Sequence, residues 1–589
     1  MRLRALFLAA TALTGTALTG TALTGTGLTG LVQVAHAEII FAPVPYAAED
    51  AARRVPVVSA SALVNGTEVP LAYHAFSRSG DRKGPVAFGQ LMMLDGRTVP
   101  GAISSNPDFT SLLPVGGKLY SVTQFEDAPG GLMLSEMAQG ADGNLTVVSS
   151  KPIDTSKVGG IWQPCAGSVT AWGTHLGSEE YPDDARMTED AKEVKDLAED
   201  TPPMARLFGL DPETMTLDQF RAVFNPYKYG FATETTLSEA GEARVVKHGA
   251  MGRVSMEMAM VMPDKKTAYI SEDGTNVDLY RFVADKEGDL SAGQLFALKW
   301  VQTDDQNGGA AKVEWVDLGH ADDASVWAAV DKGIKFSGLF EVAEIGADGS
   351  CPEGFAGSNA SGALECLKVK PGMEMLASRL ETTRYASIKG ASTEFRKMEG
   401  QAYDPATNRL YLAMTQVAKG MTDGDEKADL VGRNDIRLPK NDCGAVYEMQ
   451  LGGDFVGTEI KGIVTGMPKE YAKGSAEEAN TCDVDGIASP DNLTFLTGQN
   501  ILIIAEDTDA HQNDMVWARD MATGAMTRIM SAPYGSEATS VDWYPDVGGH
   551  GYLMAVVQHP FGESDEDKLQ SPDEKNAWVG YIGPFPAMN

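Results

Sequence analysis

The segment TAYISEDG (267–274) decides the fold. Its β-branched and aromatic side chains suit a pleated strand, which ends on an acidic pair, Glu272-Asp273, before a glycine turn. Three later segments repeat the design: NRLYLAMT (408–415), NILIIAED (500–507) and GYLMAVVQHP (551–560). A turn precedes each, and Pro263-Asp264, Asp404-Pro405 and Pro490-Asp491 lie near the first three. Copies about 50 to 140 residues apart are too irregular for a solenoid, but they suit propeller blades that carry long insertions. Equivalent strands of such blades surround one axis, so acidic residues at equivalent positions converge there. We therefore expect a mainly β chain, a six-bladed β-propeller with helical and loop insertions. Neighbours on a strand face opposite sides. Both members of Glu272-Asp273, or of Glu506-Asp507, reach one site only where the strand has ended.

Two further glutamates sit in strand context. MGRVSMEMAMVMPD (251–264) alternates, which puts Met256, Met258, Met260 and Met262 on one face and Glu257 on the other. A methionine face is read as core packing. A carboxylate among apolar neighbours is seldom stable unless paired or bound to metal, and the same applies to Glu399 in FRKMEGQAYDP (395–405). Between Tyr181 and Phe224 the composition turns charged and helix-favouring, so a helical insertion near 181–224 is expected inside a single domain spanning 38–589.

The stretch IWQPCAGSVTAWGTHLGSEEYPDD (161–184) carries a lone cysteine, Cys165, followed by Glu179-Glu180. A soft sulfur donor suits iron or zinc, whereas carboxylates alone suit calcium or magnesium. Four other cysteines are present. Cys351 and Cys366 bracket a loop they can close, and Cys443 with Cys482 is one further pairing among several. Cys165 is then the odd thiol, and in an oxidising compartment metal coordination is the economical way to hold it.

Such a compartment is expected. Arg2 and Arg4, an apolar stretch from Ala5 and the small-x-small pattern Ala35-His36-Ala37 read as a signal peptide over 1–37, cleaved after Ala37. No later apolar run is long enough to cross a membrane. The expected location is periplasmic or secreted, and the expected state a monomer. With 82 Asp and Glu against 48 Lys and Arg, the net charge of −34 argues against a nucleic-acid partner.

Taken together, several segments resemble the PhoX-type alkaline phosphatases, exported iron- and calcium-dependent enzymes on a β-propeller. The resemblance rests on Cys-Ala-Gly…Glu-Glu (165–180), Asn-Pro-Tyr-Lys-Tyr-Gly (225–230), Gly-Arg…Glu (252–257) and Ser-Glu-Asp-Gly (271–274). It continues through Glu-Phe-Arg-Lys-Met-Glu-Gly (394–400), Pro-Asp-Asn-Leu (490–493) and Gln-His-Pro (558–560). It implies that Cys165, Glu257 and Glu399 bind iron, and that Glu180, Glu272, Asp273, Asp491, Glu506, Asp507 and Glu537 are candidates for calcium. It also implies that Lys157 and a basic residue at Lys397 contact substrate phosphate. Three departures stand out: Leu3 interrupts the usual twin arginines, Lys397 replaces an arginine, and Met256 stands where a histidine is common.

The implied reaction is hydrolysis of small-molecule phosphate monoesters by a metal-activated oxygen nucleophile. A metal cluster suits it because the dianion needs charge neutralisation. No Gly-rich phosphate loop and no defensible Ser-His-Asp set appears among only eight histidines. Two rivals use the same acidic axis: a non-catalytic calcium-binding exported propeller, and a calcium-dependent lactone or phosphotriester hydrolase. Neither needs the thiolate or Lys157.

Overall fold

A computed structural model describes residues 39–429 and 433–588. The expected signal peptide and mature start at Glu38 lie outside the described residues.

Antiparallel meanders follow one another along the chain. Pro107–Val115, Lys118–Phe125, Gly131–Gln139 and Leu145–Pro152 form one sheet, and Ser168–Val169, His175–Gly177, Thr233–Leu237 and Ala243–Lys247 the next. A nine-stranded sheet runs from Met256–Val261 out to Ala310–Asp322, and from Met398–Asp404 out to Gly457–Thr465. Its halves join only where residues 310–312 meet 459–461. Pro490–Leu496, Ile501–Glu506, Asn513–Asp520 and Met526–Tyr534 form the following sheet, with Val57–Val58 on its outer edge. In the last sheet Glu537–Thr539, His550–Gln558 and Trp578–Pro586 are joined by Ala72–Arg78, so strands from both ends of the chain share it. Dividing the nine-stranded sheet at its narrow junction leaves, among the described residues, six groups of four or more strands in chain order.

The first strand of each group lies at the inner edge, and contacts between these strands close a ring. Ser168 Oγ donates to the Ala259 carbonyl (2.7 Å), the Gln401 amide to Met258 Sδ (3.0 Å) and the Ser540 amide to Asn492 Oδ1 (3.2 Å). Thr539 Oγ1 donates to Asp108. Gly400 permits one of these approaches, because a Cβ there would lie 2.6 Å from the Asp491 carbonyl oxygen. Between groups, both faces of a strand are covered. In Ile501–Glu506, Ile501, Ile503 and Ala505 enter one core while Leu502 and Ile504 enter another. A strand buried on both faces reads as a continuous apolar run, as ILIIA does.

The methionine alternation is not kept. The pairing shifts register between Met256 and Met258. Met256 then packs with Tyr227 and Ile270, whereas Met262 packs with Tyr269 and Leu298 in a separate core. The four methionines therefore share no single face.

After Tyr181 the chain forms short helices, Ala185–Asp190, Pro202–Phe208 and Leu217–Arg221. Asp184 caps the first, and Thr216 with Gln219 forms a capping box on the last. Their apolar faces gather Met204, Leu207, Phe220 and Phe224 around Trp162, which ties the insertion to the Cys165 stretch. Cys351–Cys366 and Cys443–Cys482 are disulfides, and Cys165 is free and buried.

Candidate metal centre

Four inner strands begin with a break in their pairing. Register shifts fall between Pro107 and Thr110, Met256 and Met258, Met398 and Gln401, and Pro490 and Leu493. A bulge releases residues from the ladder and re-aims their side chains. The residues between these points include Asp108, Glu257, Glu399 and Asp491. Glu537 opens its own strand, and Cys165 lies just ahead of Ser168–Val169. Each strand group thus places one ligand-type side chain at the same end of the axis. Second strands add more at their ends, namely Glu126, Glu180 and Asp507.

These side chains meet. Four overlapping triads have donor atoms within 4.8 Å of one another: Asp108, Glu126 and Cys165; Cys165, Glu180 and Glu257; Glu257, Glu399 and Asp491; Asp491, Asp507 and Glu537. Cys165 Sγ lies 3.2 Å from Asp108 Oδ2 and 3.6 Å from Glu257 Oε1. Burial, then mutual repulsion, pushes the acids up. Glu126 rises to about 8, Glu399 to about 7 and Asp108 to about 6. Cys165, Glu180, Glu257, Asp491 and Glu537 move in the same direction for the same reasons.

Lys397 is the only lysine or arginine ion-paired to this cluster among the described residues. Its Nζ lies 3.1 Å from Glu399 Oε1 and 2.8 Å from Asp273 Oδ2. Burial alone would raise Asp273, but Lys397 and the Tyr181 hydroxyl more than offset this and hold it at about 2. Arg396 turns away, to Gly274 and Thr275. Lys397, Tyr181, Ser489 and Gln163 all have left-handed backbones, with φ of 51°, 41°, 40° and 29°. Each lies within two residues of a cluster member, where such strain is characteristic of functional sites.

The centre brings together Cys165, Glu180, Glu257, Glu399, Asp491, Asp507 and Glu537, with Lys397 and Asp273 beside them. Two other expected ligands have protein partners instead. Glu272 accepts from Tyr280 Oη (2.8 Å), Thr383 Oγ1 (2.5 Å) and the Asp278 amide (3.2 Å). Glu506 accepts from Trp517 Nε1 (2.7 Å) and the Ala488 and Met515 amides (2.9 and 3.0 Å) and contacts His511. Lys157 lines a different cavity, with Lys228 and Lys247. Asp108 and Glu126 escaped the sequence reading, although signals existed. Pro107-Asp108 parallels Pro490-Asp491, and SVTQFED (121–127) ends on an acidic pair as TAYISED does.

The donor set fits cations. Eight buried or half-buried carboxylates and a thiol face one lysine, and Glu537 Oε1 and Gln558 Oε1 are buried acceptors with no hydrogen-bond partner. Uncompensated burial of this kind is costly. Thiolate with carboxylates suits iron or zinc, and the all-oxygen triads suit calcium or magnesium.

One similar solved structure, Pseudomonas fluorescens PhoX in complex with vanadate, a transition state analogue, is 17% identical. It matches with a TM-score of 0.61, over 92% of this chain and 98% of that one. The polysaccharide lyase Uly1 and a Synechocystis apocarotenoid oxygenase mutant align at 9% and 8% identity, over 87% and 76% of this chain and 99% and 65% of theirs, with TM-scores of only 0.28 and 0.24. A comparison with curated protein sequences gave no match. The family model described as alkaline phosphatase PhoX matches residues 133–561, and the chain belongs to the PhoX alkaline phosphatase family.

Proposed function

We propose that this protein is an exported phosphatase that hydrolyses small phosphate monoesters at the thiol–carboxylate centre, with iron and calcium as cofactors. The observation that carries the reading is Lys397, a half-buried cation set among acids beside the thiol–carboxylate cluster. A site built only to hold structural calcium has no use for it. Cys165, Glu257 and Glu399, with Glu180, would hold iron. Asp491, Asp507 and Glu537 would hold calcium. When bound, these metals supply charge neutralisation and acidify water.

The protein's own side chains then have defined tasks. Asp273, which accepts from the Tyr181 hydroxyl, and Glu399 hold the Lys397 ammonium beside the cluster, and its remaining N–H is available to a phosphate oxygen. The bulged carboxylates keep a fixed spacing because their strands are closed into a ring. The two disulfides suit an oxidising compartment outside the cytoplasm.

The test is turnover of 4-nitrophenyl phosphate by the purified chain, with metal content measured on the same sample. Activity abolished by chelation, together with both iron and calcium, is expected. Calcium without iron, and no turnover, would favour the calcium-binding propeller. Turnover of a lactone or phosphotriester in place of the monoester would favour the other hydrolase.

A further inference from the structure

A second concentration of chemistry lies outside this centre, in a cavity of about 820 Å³. One wall is Ala243–Lys247, the outermost strand of its sheet, so one side of that backbone has no strand partner. Lys157, Lys228 and Arg244 line the cavity, and none of the three forms an ion pair among the described residues. Lys247, by contrast, is committed: its Nζ is 2.7 Å from Glu179 Oε1 and donates to the Lys228 carbonyl (2.8 Å). The Lys228 side chain lies over Gly159, where a Cβ would stand 3.6 Å from its Cδ, so it is held near Lys157.

The acids of the lining offset these cations only in part, with Asp154 interacting electrostatically with Lys157 without forming an ion pair. Asp154 accepts from the Ser156 amide (2.9 Å), and Asp323 accepts from the Ala250 amide (2.7 Å) and faces His248 (3.4 Å). Asp331 alone has no such commitment. Half-buried Trp327 supplies aromatic surface in the lining. In a chain of net charge −34, three cations outside any ion pair on one cavity are a local concentration of positive charge.

We propose that this cavity is a second oxyanion site. Lys157, Lys228 and Arg244 bind the phosphate-type head of an organic anion, and Trp327 takes its apolar part. The buried Lys247–Glu179 pair separates it from the metal centre, since Glu179 faces outward to Lys247 while Glu180, its neighbour, faces the cluster. The proposal does not depend on the phosphatase reading.

The probe is phenylphosphonate, an aryl oxyanion with no ester bond to hydrolyse, titrated into the full metal-loaded chain. Binding is followed by calorimetry and by the fluorescence difference between the native protein and Trp327→Phe. Lys157→Glu with Lys228→Glu should weaken the Trp327-reported binding by on the order of tenfold or more, the loss of a charge-assisted contact. Lys157→Arg with Lys228→Arg should retain it, and Lys397→Ala should leave it unchanged. Should the charge reversal disturb the circular dichroism spectrum, Arg244→Gln on the exposed edge gives the same reading with less perturbation. Unaltered binding in the folded charge-reversed chain, no Trp327 response in the native protein, or loss of that response in Lys397→Ala alone would each overturn the site. Turnover of 4-nitrophenyl phosphate, assayed alongside, reports on the metal centre independently.

Discussion

Replacing Lys397 by Met separates two roles that the structure superimposes. The ammonium lies between Asp273 and Glu399, whose side chains are only 2% and 3% exposed. Removing one partner of a buried pair leaves the other uncompensated, at a cost of about 3–5 kcal/mol. If Lys397 also donates to substrate phosphate, losing that charge-assisted contact removes a further ~1.5–3 kcal/mol from the transition state, roughly 10- to 100-fold in kcat/KM. Lys397→Met should therefore lower both the unfolding midpoint and turnover. Adding Asp273→Asn discharges the abandoned acid while keeping an acceptor for the Tyr181 hydroxyl. The double variant should regain most of the stability and almost none of the activity. The assay is denaturant unfolding beside steady-state kinetics on 4-nitrophenyl phosphate, with metal content measured in parallel. Recovery of activity together with stability would refute the reasoning, because Lys397 would then act only as a counter-ion.

Cys165→Ala should lose iron while keeping most of its calcium by elemental analysis; full iron occupancy would remove the thiolate from the ligand set. Gln124 donates to the Cys165 carbonyl, and its Oε1 meets His175 Nε2 at 3.1 Å, with Ser111 on the other ring nitrogen at 2.9 Å. Gln124→Ala should cost about 1–3 kcal/mol through the groups left unpaired and lower iron retention on dialysis, and unchanged retention would show that the loop is positioned by other contacts. His248 is buried, which pushes its pKa down, but Asp323 and Glu234 more than offset this and raise it to about 9. Its stabilisation is thus full below the ordinary histidine pKa of about 6.5 and is lost as pH rises through about 9, an effect on the order of 3 kcal/mol. His248→Gln should flatten that part of the stability–pH curve, and an equally steep alkaline decline in the variant would contradict the assignment.

Strand runs such as ILIIA and the acidic ends that follow them were legible because two-sided burial and a strand terminus both leave a mark on composition. Bulges leave almost none. The register shift at Met256 could not be read from alternating Met and Glu, and it scattered the expected methionine face while turning Glu257 inward. Asp108 was overlooked for a related reason. Its strand, Pro107–Val115, carries Asp directly after Pro with no neighbouring acid, so it resembles an ordinary turn. Lys397 was legible as a cation near Glu399, but its hold on Asp273 depends on two left-handed residues, Lys397 and Tyr181, that no propensity favours.

The paired acids at strand ends have a division of labour that only the structure reveals. In Glu179-Glu180, Glu272-Asp273 and Glu506-Asp507 the first residue is fully buried and spent on loops. Glu179 accepts from the amides of Trp162, Gly230 and Phe231, Glu272 from those of Ser255 and Asp278, and Glu506 from those of Ala488 and Met515. The second residue of each pair faces the centre or the lysine beside it. Glu272 and Glu506 close their strands and Asp273 and Asp507 lie just beyond, while Glu179 and Glu180 both follow His175–Gly177, so the opposition arises where the strand ends. The outer acid therefore ties down the segment that precedes each inner ligand: Trp162 ahead of Cys165, Ser255 ahead of Glu257 and Ala488 ahead of Asp491. Under the proposed function, an outer glutamate holds the segment of a neighbouring metal ligand in place, so Glu179→Gln should lower iron retention on dialysis although Glu179 lies in no ligand triad, and unchanged retention would refute this division.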